Sequence, residues 1–103
     1  MTTDTKITHA NKEIETILNG SSGFKYTDNP KDNKGNYKTA YMEKVATMDE
    51  NELYEETKSK IWLSAYAANN HRSDYHWHCD FCFDLLILRG KDDVYSKAHR
   101  EAF

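Results

Sequence analysis

Four side chains of types that ligate zinc lie within seven residues, in the segment His76-x-His78-Cys79-x-x-Cys82. On a helix His78 and Cys79 lie four and three residues before Cys82, so these three can share a face, whereas His76 points away. Structural zinc sites usually join ligand pairs from two segments, and the second pair is missing here. Two interpretations stay open: a zinc site at His78, Cys79 and Cys82, or no cofactor and two cysteines that are small core residues.

Redox and acid–base chemistry are two further hypotheses for this segment. A redox CxxC sits at a helix N-terminus after a strand, whereas Cys79 and Cys82 fall further along an acidic predicted helix. His76, Asp80 and Asp84 lie at i, i+4 and i+8, a row that could do acid–base work or could be a solvated helix edge. The chain has no nucleophile elbow, phosphate-binding loop or HExxH motif. We therefore expect a protein that is not an enzyme.

The helices that would position these residues are indicated by apolar side chains at three- and four-residue spacing. Asp49 with Glu52 three residues on resembles a capping box, and Ser73 is placed to cap the following helix. That following helix is apolar on two faces, which predicts a central position in the fold. The predicted spans are a frayed segment at 1–6 and helices at 7–19, 49–68, 74–89 and 92–102.

Residues 24–47 lack this helical spacing. Tyr37, Thr39 and Tyr41 alternate with polar or small residues, and residues 28–36 hold a dense run of turn formers with the only proline. We interpret the segment as a β-hairpin with a mobile loop at 28–36, and the alternative is an irregular arm. The predicted fold is α+β and mainly helical. In this single domain over residues 1–103, an N-terminal helix and a small hairpin pack on a C-terminal three-helix unit.

The net charge limits the classes of partner that the protein is expected to bind. The 103 residues carry a net charge of −3, and residues 49–103 hold eleven acidic against seven basic side chains. An acidic domain is a poor general binder of nucleic acid, but it can meet a basic protein surface. No apolar run is long enough for a membrane span or an export signal, so we expect a cytoplasmic protein.

The predicted helices at 49–68 and 74–89 would leave an acidic and aromatic surface for such a protein partner. Residues 61–68 are apolar nearly all round the helix, which predicts burial on several sides or a contact with a second copy of the chain. The predicted partner-binding residues are Glu52, Glu55, Glu56, Trp62, Tyr66, Trp77, Asp80 and Asp84.

A second surface follows from basic residues that interleave with tyrosines in the segment 24–47. Such a pattern could grip single-stranded nucleic acid by charge and stacking, in a domain stabilised by zinc. The simpler interpretation is a tyrosine-rich face packed on helices with solvated lysines outside. The residues concerned are Lys25, Tyr26, Lys34, Tyr37, Lys38 and Tyr41.

The segment ELYEETKSKIWLSAYAANNHRSDYHWHCDFCFD, residues 52–84, resembles short phage- and prophage-encoded proteins. It covers about a third of the chain. The resemblance implies an inhibitor of the anti-CRISPR or host-takeover type, which binds a host protein and blocks its site. The partner would then be a CRISPR–Cas complex or another host complex that handles nucleic acid.

Overall fold

The structure is a computed structural model that describes residues 3–20 and 23–103. Within these ranges the chain forms six helices and no strand, and their packing is that of a helical bundle. The Cα radius of gyration is 13.3 Å, close to the roughly 13 Å of a compact chain of about 100 residues. The helices are α1 Thr3–Asn19, α2 Phe24–Thr27, α3 Lys38–Ala46, α4 Glu50–Tyr66, α5 Asp74–Leu88 and α6 Asp92–Ala102.

Helix α5 is the centre of the bundle, packed against α1, α3, α4 and α6. It runs antiparallel to α4, as the contact between Ser64 at the end of α4 and His76 at the start of α5 indicates. Its core residues come from both apolar faces seen in the sequence, so the prediction of a central helix is confirmed. The buried side chains of α5 are Trp77, Phe81, Cys82, Leu85 and Leu86.

The predicted hairpin is wrong, and with it the α+β fold class. Residues 24–47 contain α2 and α3, joined by a turn in which a single antiparallel bridge pairs Lys31 with Tyr37. Lys38, Met42 and Val45 are buried on one face of α3 at i, i+4 and i+7. In the sequence the alternating tyrosines suggested a strand. The helical spacing was hard to recognise, because one of the three residues on the inward face is a lysine. Burial of this α3 face in the helical core therefore overrides the strand-like pattern.

The other predicted spans correspond to helices, with small differences at their ends. Helix α1 begins at Thr3, inside the segment predicted to be frayed, and residues 1 and 2 lie outside the described ranges. The capping box is confirmed: Asp49 accepts from the backbone of Glu52 at 2.7 Å, and its own N–H donates to the Glu52 carboxylate at 2.9 Å. Ser73 caps α5 by accepting from the Tyr75 N–H at 3.2 Å.

An ion pair that the sequence did not predict fastens α1 to the end of α5. The Arg89 guanidinium donates to both oxygens of Glu13, at 2.7 and 2.8 Å, and to the Ala46 carbonyl at 3.0 Å. The two carboxylate bonds are bidentate, which is the stronger geometry for this pair. One side chain thus joins α1, α3 and α5. No helix in the described part of the chain combines the length and apolar character of a membrane span.

Candidate functional site

Two of the predicted partner-binding residues are exposed aromatic side chains on the outer face of α4. Trp62 and Tyr66 are 48 % and 78 % exposed. They stand four residues apart, so their rings meet on the helix surface, with centroids 5.4 Å apart and planes 14° from parallel. We call this pair the aromatic patch. Two large stacked rings that contact solvent are a surface that a partner can cover at low entropic cost.

A groove of about 320 Å³ begins at Trp62 and lies between α4 and the end of α6. Its α4 wall includes Glu55, Ser59 and Leu63, and its α6 wall includes Glu101 and Ala102. The sequence had indicated Glu55 but not the α6 residues, because only the packing of α6 along α4 brings them together. Tyr54 donates a hydrogen bond to Glu101, which holds that carboxylate at the groove.

Of the predicted acidic residues on α4, Glu52 and Glu56 contribute to the fold, whereas Glu55 is exposed on the groove wall. Glu52 completes the cap of α4, and among the described residues Glu55 forms an ion pair with Lys58, at 3.4 Å. The carboxylate of Glu56 accepts from Lys60 and from the Tyr41 hydroxyl, both at 2.7 Å. Burial alone would raise the pKa of Glu56, but the hydrogen bonds from Lys60 and Tyr41 hold it below its usual value.

Asp84 and Trp77, two further predicted partner-binding residues, also make interior contacts. The Tyr26 hydroxyl donates to Asp84 at 2.5 Å, and Lys25 lies 3.3 Å from the same carboxylate. Burial and the Asp84 carboxylate raise the pKa of Tyr26, so this phenol stays protonated as a donor. Trp77 is 9 % exposed, and its indole N–H donates to Asp74 at 2.9 Å. Asp80 is exposed on the same helix, away from the aromatic patch.

The three predicted zinc ligands face different neighbours. The His78 ring stacks on Tyr41 with centroids 4.0 Å apart, and its Nδ1 is buried without a hydrogen-bond partner in the described ranges. Cys79 lies 3.8 Å from the Tyr95 hydroxyl, and Cys82 lies 3.8 Å from that of Tyr41. Among the described residues no group of three His, Cys, Asp or Glu side chains could hold a metal ion.

The electrostatics of this region favour neutral side chains. Burial, helped by the nearby Lys60 ammonium, lowers the pKa of His78 to about 4. Burial raises the pKa of the Cys82 thiol to about 11 and also raises that of Cys79. A thiol with a raised pKa is a poor nucleophile and a poor redox centre at neutral pH. Cys82 is a buried core residue, whereas Cys79 is half-buried beside Tyr95.

His76, from the possible acid–base row, lies at the turn between α4 and α5. Its Nδ1 is 2.7 Å from the Ser64 hydroxyl, and its Nε2 is 2.9 Å from the Asn70 carbonyl and 3.1 Å from that of Ala67. These contacts hold the turn in place. Asp84, which ends the row, accepts instead from Tyr26, so the three side chains do not act as one unit.

The residues of the predicted nucleic-acid surface separate into three groups. Tyr26 is fully buried and Tyr41 is half-buried with its hydroxyl on Glu56, so neither ring is presented to a base. Tyr37 and Lys34 are exposed in the turn before α3. Lys25 and Lys38 line a cavity of about 500 Å³ beside the start of α5, which we call the lysine cleft.

The sequence predicted only some of the residues that line the lysine cleft. Residues of the α4–α5 turn, including Arg72, meet the turn before α3 there, where the Asn33 side chain donates to the Arg72 carbonyl at 2.6 Å. A contact between residues so far apart in sequence leaves no periodic pattern from which it could be predicted. The one signal in the sequence was the spacing of Lys38, Met42 and Val45, which places Lys38 on the inward face of α3.

Comparisons of the chain with protein-family models, with curated proteins and with solved structures found no match.

Proposed function

We propose that this protein is a non-enzymatic protein-binding module whose contact surface is the aromatic patch and the adjoining groove. The observation that supports this most strongly is the exposure of Trp62 and Tyr66 as a stacked pair. Tryptophan and tyrosine are enriched among the residues that contribute most to binding at protein interfaces. Their stacking on one helix face means that little side-chain freedom remains to be lost on binding.

The chemistry beside the patch favours a partner that presents arginine. Glu55 and Glu101 lie on the walls of the groove that begins at Trp62. A guanidinium can stack on an indole or phenol face while it forms a bidentate pair with a carboxylate. The net charge of −3 would also steer a basic surface toward the molecule. The proposed partner is therefore a protein with an arginine-rich surface.

An arginine-rich surface is also what proteins use to hold phosphate. The finer proposal is that the module inhibits a host protein that handles nucleic acid by covering that surface, in the manner that the resemblance to phage inhibitors implies. It would act in the host cytoplasm, and a CRISPR–Cas complex is one partner of this kind. Two carboxylates, those of Glu55 and Glu101, and the Trp62 ring line the α4–α6 groove against one ammonium, that of Lys58, and this composition supports this version.

The test is titration calorimetry with a nine-residue arginine peptide and its lysine counterpart. We expect the arginine peptide to bind more tightly, because lysine has no planar group to stack on the rings. The Trp62→Ala/Tyr66→Ala variant should weaken arginine-peptide binding at least tenfold. Ile87→Ala is the matched control, since Ile87 is 47 % exposed on α5, away from the groove.

Competition tests the inhibitor version directly. Labelled single-stranded DNA should bind the arginine peptide less when the wild-type protein is present, and the double variant should lose this effect. Equal binding of both peptides, or unchanged binding by the double variant, would contradict the proposal. Sedimentation of the free protein tests the alternative of a homo-oligomer through residues 61–68. A dimer that the double variant abolishes would assign the patch to a second copy instead.

A further inference from the structure

The lysine cleft differs in charge from the rest of the molecule. Four cationic side chains, Lys25, Lys31, Lys38 and Arg72, line it against two carboxylates, those of Asp74 and Asp80. The whole chain has a net charge of −3. A concentration of positive charge in a concave region of an acidic protein needs an explanation, since like charges brought together repel one another.

Lys38 is the least accessible of these cations. Its side chain is 7 % exposed, and it forms no hydrogen bond or ion pair with any residue in the described ranges. Its Nζ lies 5.3 Å from the centre of the Trp77 ring, a cation–π contact. A buried ammonium without a counter-charge is unfavourable unless a charge or a ligand compensates it. Lys38 lines the cleft, so its missing partner would enter from there.

Of the two carboxylates that line the cleft, that of Asp74 already has hydrogen-bond donors. Asp74 accepts from the Trp77 indole at 2.9 Å and from the Asn33 backbone N–H, which lies 3.2 and 3.3 Å from its two oxygens. Lys25 is paired to Asp84 at 3.3 Å, which leaves Lys31, Lys38 and Arg72 as cleft cations without a carboxylate among the described residues. All three belong to the wall of one cavity, and Lys38 is the buried one.

We propose that the lysine cleft binds a compact phosphate-bearing anion, with Lys38 and Arg72 as its main ligands. Lysine and arginine are the usual side chains for this chemistry. The volume of about 500 Å³ lies within the roughly 300–1,000 Å³ of small-molecule sites and suits a compound up to the size of a mononucleotide. This site is separate from the aromatic patch, so either proposal can fail without the other.

A compact ligand fits the cleft better than a nucleic-acid strand. A strand is held by cations spread along a groove and by rings that stack on its bases. Here the cations converge on one cavity, and the neighbouring rings of Tyr26 and Trp77 are buried. The shared chemistry is the phosphate group, and the free ion and a phosphate ester are separate arms of the test.

The test is calorimetric titration of the whole chain with inorganic phosphate, with AMP and with a labelled 20-nucleotide DNA strand. We expect the two small anions to bind and to raise the thermal midpoint as mass action requires. Lys38→Met should weaken their binding at least tenfold, and Lys38→Arg should largely keep it. Lys34→Met is the matched control, because Lys34 is an exposed lysine in the turn before α3 and does not line the cleft.

Two readouts separate a ligand role from a structural role of Lys38. Methionine keeps the apolar stem and removes a buried charge that has no partner, so Lys38→Met should be at least as stable as the wild type without phosphate. In a Trp62→Phe background, phosphate should change the fluorescence of Trp77, because the ammonium that lies over its ring is drawn to the anion.

Phosphate and AMP binding that is unchanged in both Lys38→Met and Arg72→Gln would overturn the proposal, as would the absence of any binding by the wild type. If the DNA strand binds more tightly than AMP and Lys34→Met weakens it as much as Lys38→Met does, the site belongs to an extended strand and the compact ligand is wrong. A loss of stability in Lys38→Met without phosphate would make Lys38 a structural residue.

Discussion

Aromatic rings and carboxylates lie side by side in two regions of the molecule, with opposite exposure. On the inner side of α5, Tyr26 donates to Asp84 and Tyr41 donates to Glu56, and Tyr26 is fully buried. On the outer side of α4, Trp62 and Tyr66 stack on each other and contact solvent. We call the first region the tyrosine–carboxylate interior, defined by Tyr26, Asp84, Tyr41 and Glu56.

The two regions show that residue type alone does not separate a structural role from a binding role. A phenol that donates to a half-buried carboxylate satisfies two polar groups at once, and removing the phenol leaves the carboxylate with one hydrogen bond fewer. The rings of the aromatic patch leave no polar group unsatisfied when they are removed. Changes in the tyrosine–carboxylate interior should therefore reduce stability, and changes in the patch should reduce only binding.

The largest effect is expected for Tyr26→Ala. The substitution removes a fully buried ring that packs edge-on against Phe81, with centroids 6.1 Å apart, and it leaves Asp84 without its phenol donor. Loss of a buried aromatic side chain costs about 3–5 kcal/mol. Urea unfolding followed by circular dichroism should show a decrease of this size in the free energy of unfolding.

The matched control is Tyr66→Ala, the same substitution at a tyrosine that is 78 % exposed. It should change the free energy of unfolding by no more than about 0.5 kcal/mol. Equal effects of the two substitutions would remove the distinction between the two regions.

A second effect concerns His78, which stacks on Tyr41 in the interior and whose pKa is lowered to about 4. The unfolded chain takes up a proton near pH 6.5, but the folded chain does so only near pH 4, so the unfolded state binds more protons between these values. The contribution of His78 is fully present above pH 6.5 and is lost as the pH falls toward 4. After discounting for solvent screening, we expect about 2 kcal/mol.

His78→Phe isolates this contribution, because the ring remains and the titration does not. The difference in unfolding free energy between the wild type and the variant should change by about 2 kcal/mol between pH 7 and pH 4. Other groups in the interior titrate equally in both proteins and cancel in the difference. A constant difference over this range would show that His78 keeps an ordinary pKa in the fold.

A smaller effect is expected for Tyr41→Phe, which removes the hydroxyl that donates to Glu56 and retains the ring. Glu56 keeps its bond from Lys60 at 2.7 Å, so the loss should be that of one hydrogen bond, about 1 kcal/mol. Tyr75→Phe serves as the control, because the Tyr75 hydroxyl forms no hydrogen bond with the residues that the structure describes. If chemical unfolding shows the same stability for both variants, the Glu56 bond does not contribute.

The elements whose apolar residues recur at helical spacing could be predicted from the sequence. Helices α4, α5 and α6 lie where this spacing placed them, and Asp49 and Ser73 cap two of them as predicted. Capping depends on residues close in sequence, so it can be recognised locally. Helix α3 could not be recognised in this way, because a lysine occupies the first position of its buried face.

The candidate sites depended on contacts between distant parts of the chain. The exposure of Trp62 and Tyr66 followed from a helix that is apolar nearly all round, but the α6 wall of their groove required the packing of α6 on α4. The same limit applies to Trp77, which the spacing alone placed among exposed aromatics. Its burial depends on Tyr41 and Lys38 of α3, which meet it only in the folded chain.

The most direct test of the two roles is the Trp62→Ala/Tyr66→Ala variant, measured for both stability and arginine-peptide binding. We expect an unfolding free energy within about 0.5 kcal/mol of the wild type, because exposed rings contribute little to the fold. Peptide binding should be weaker by at least tenfold, since the same rings would form the contact. A variant that loses more than about 2 kcal/mol of stability, or that binds the peptide as the wild type does, would contradict this expectation.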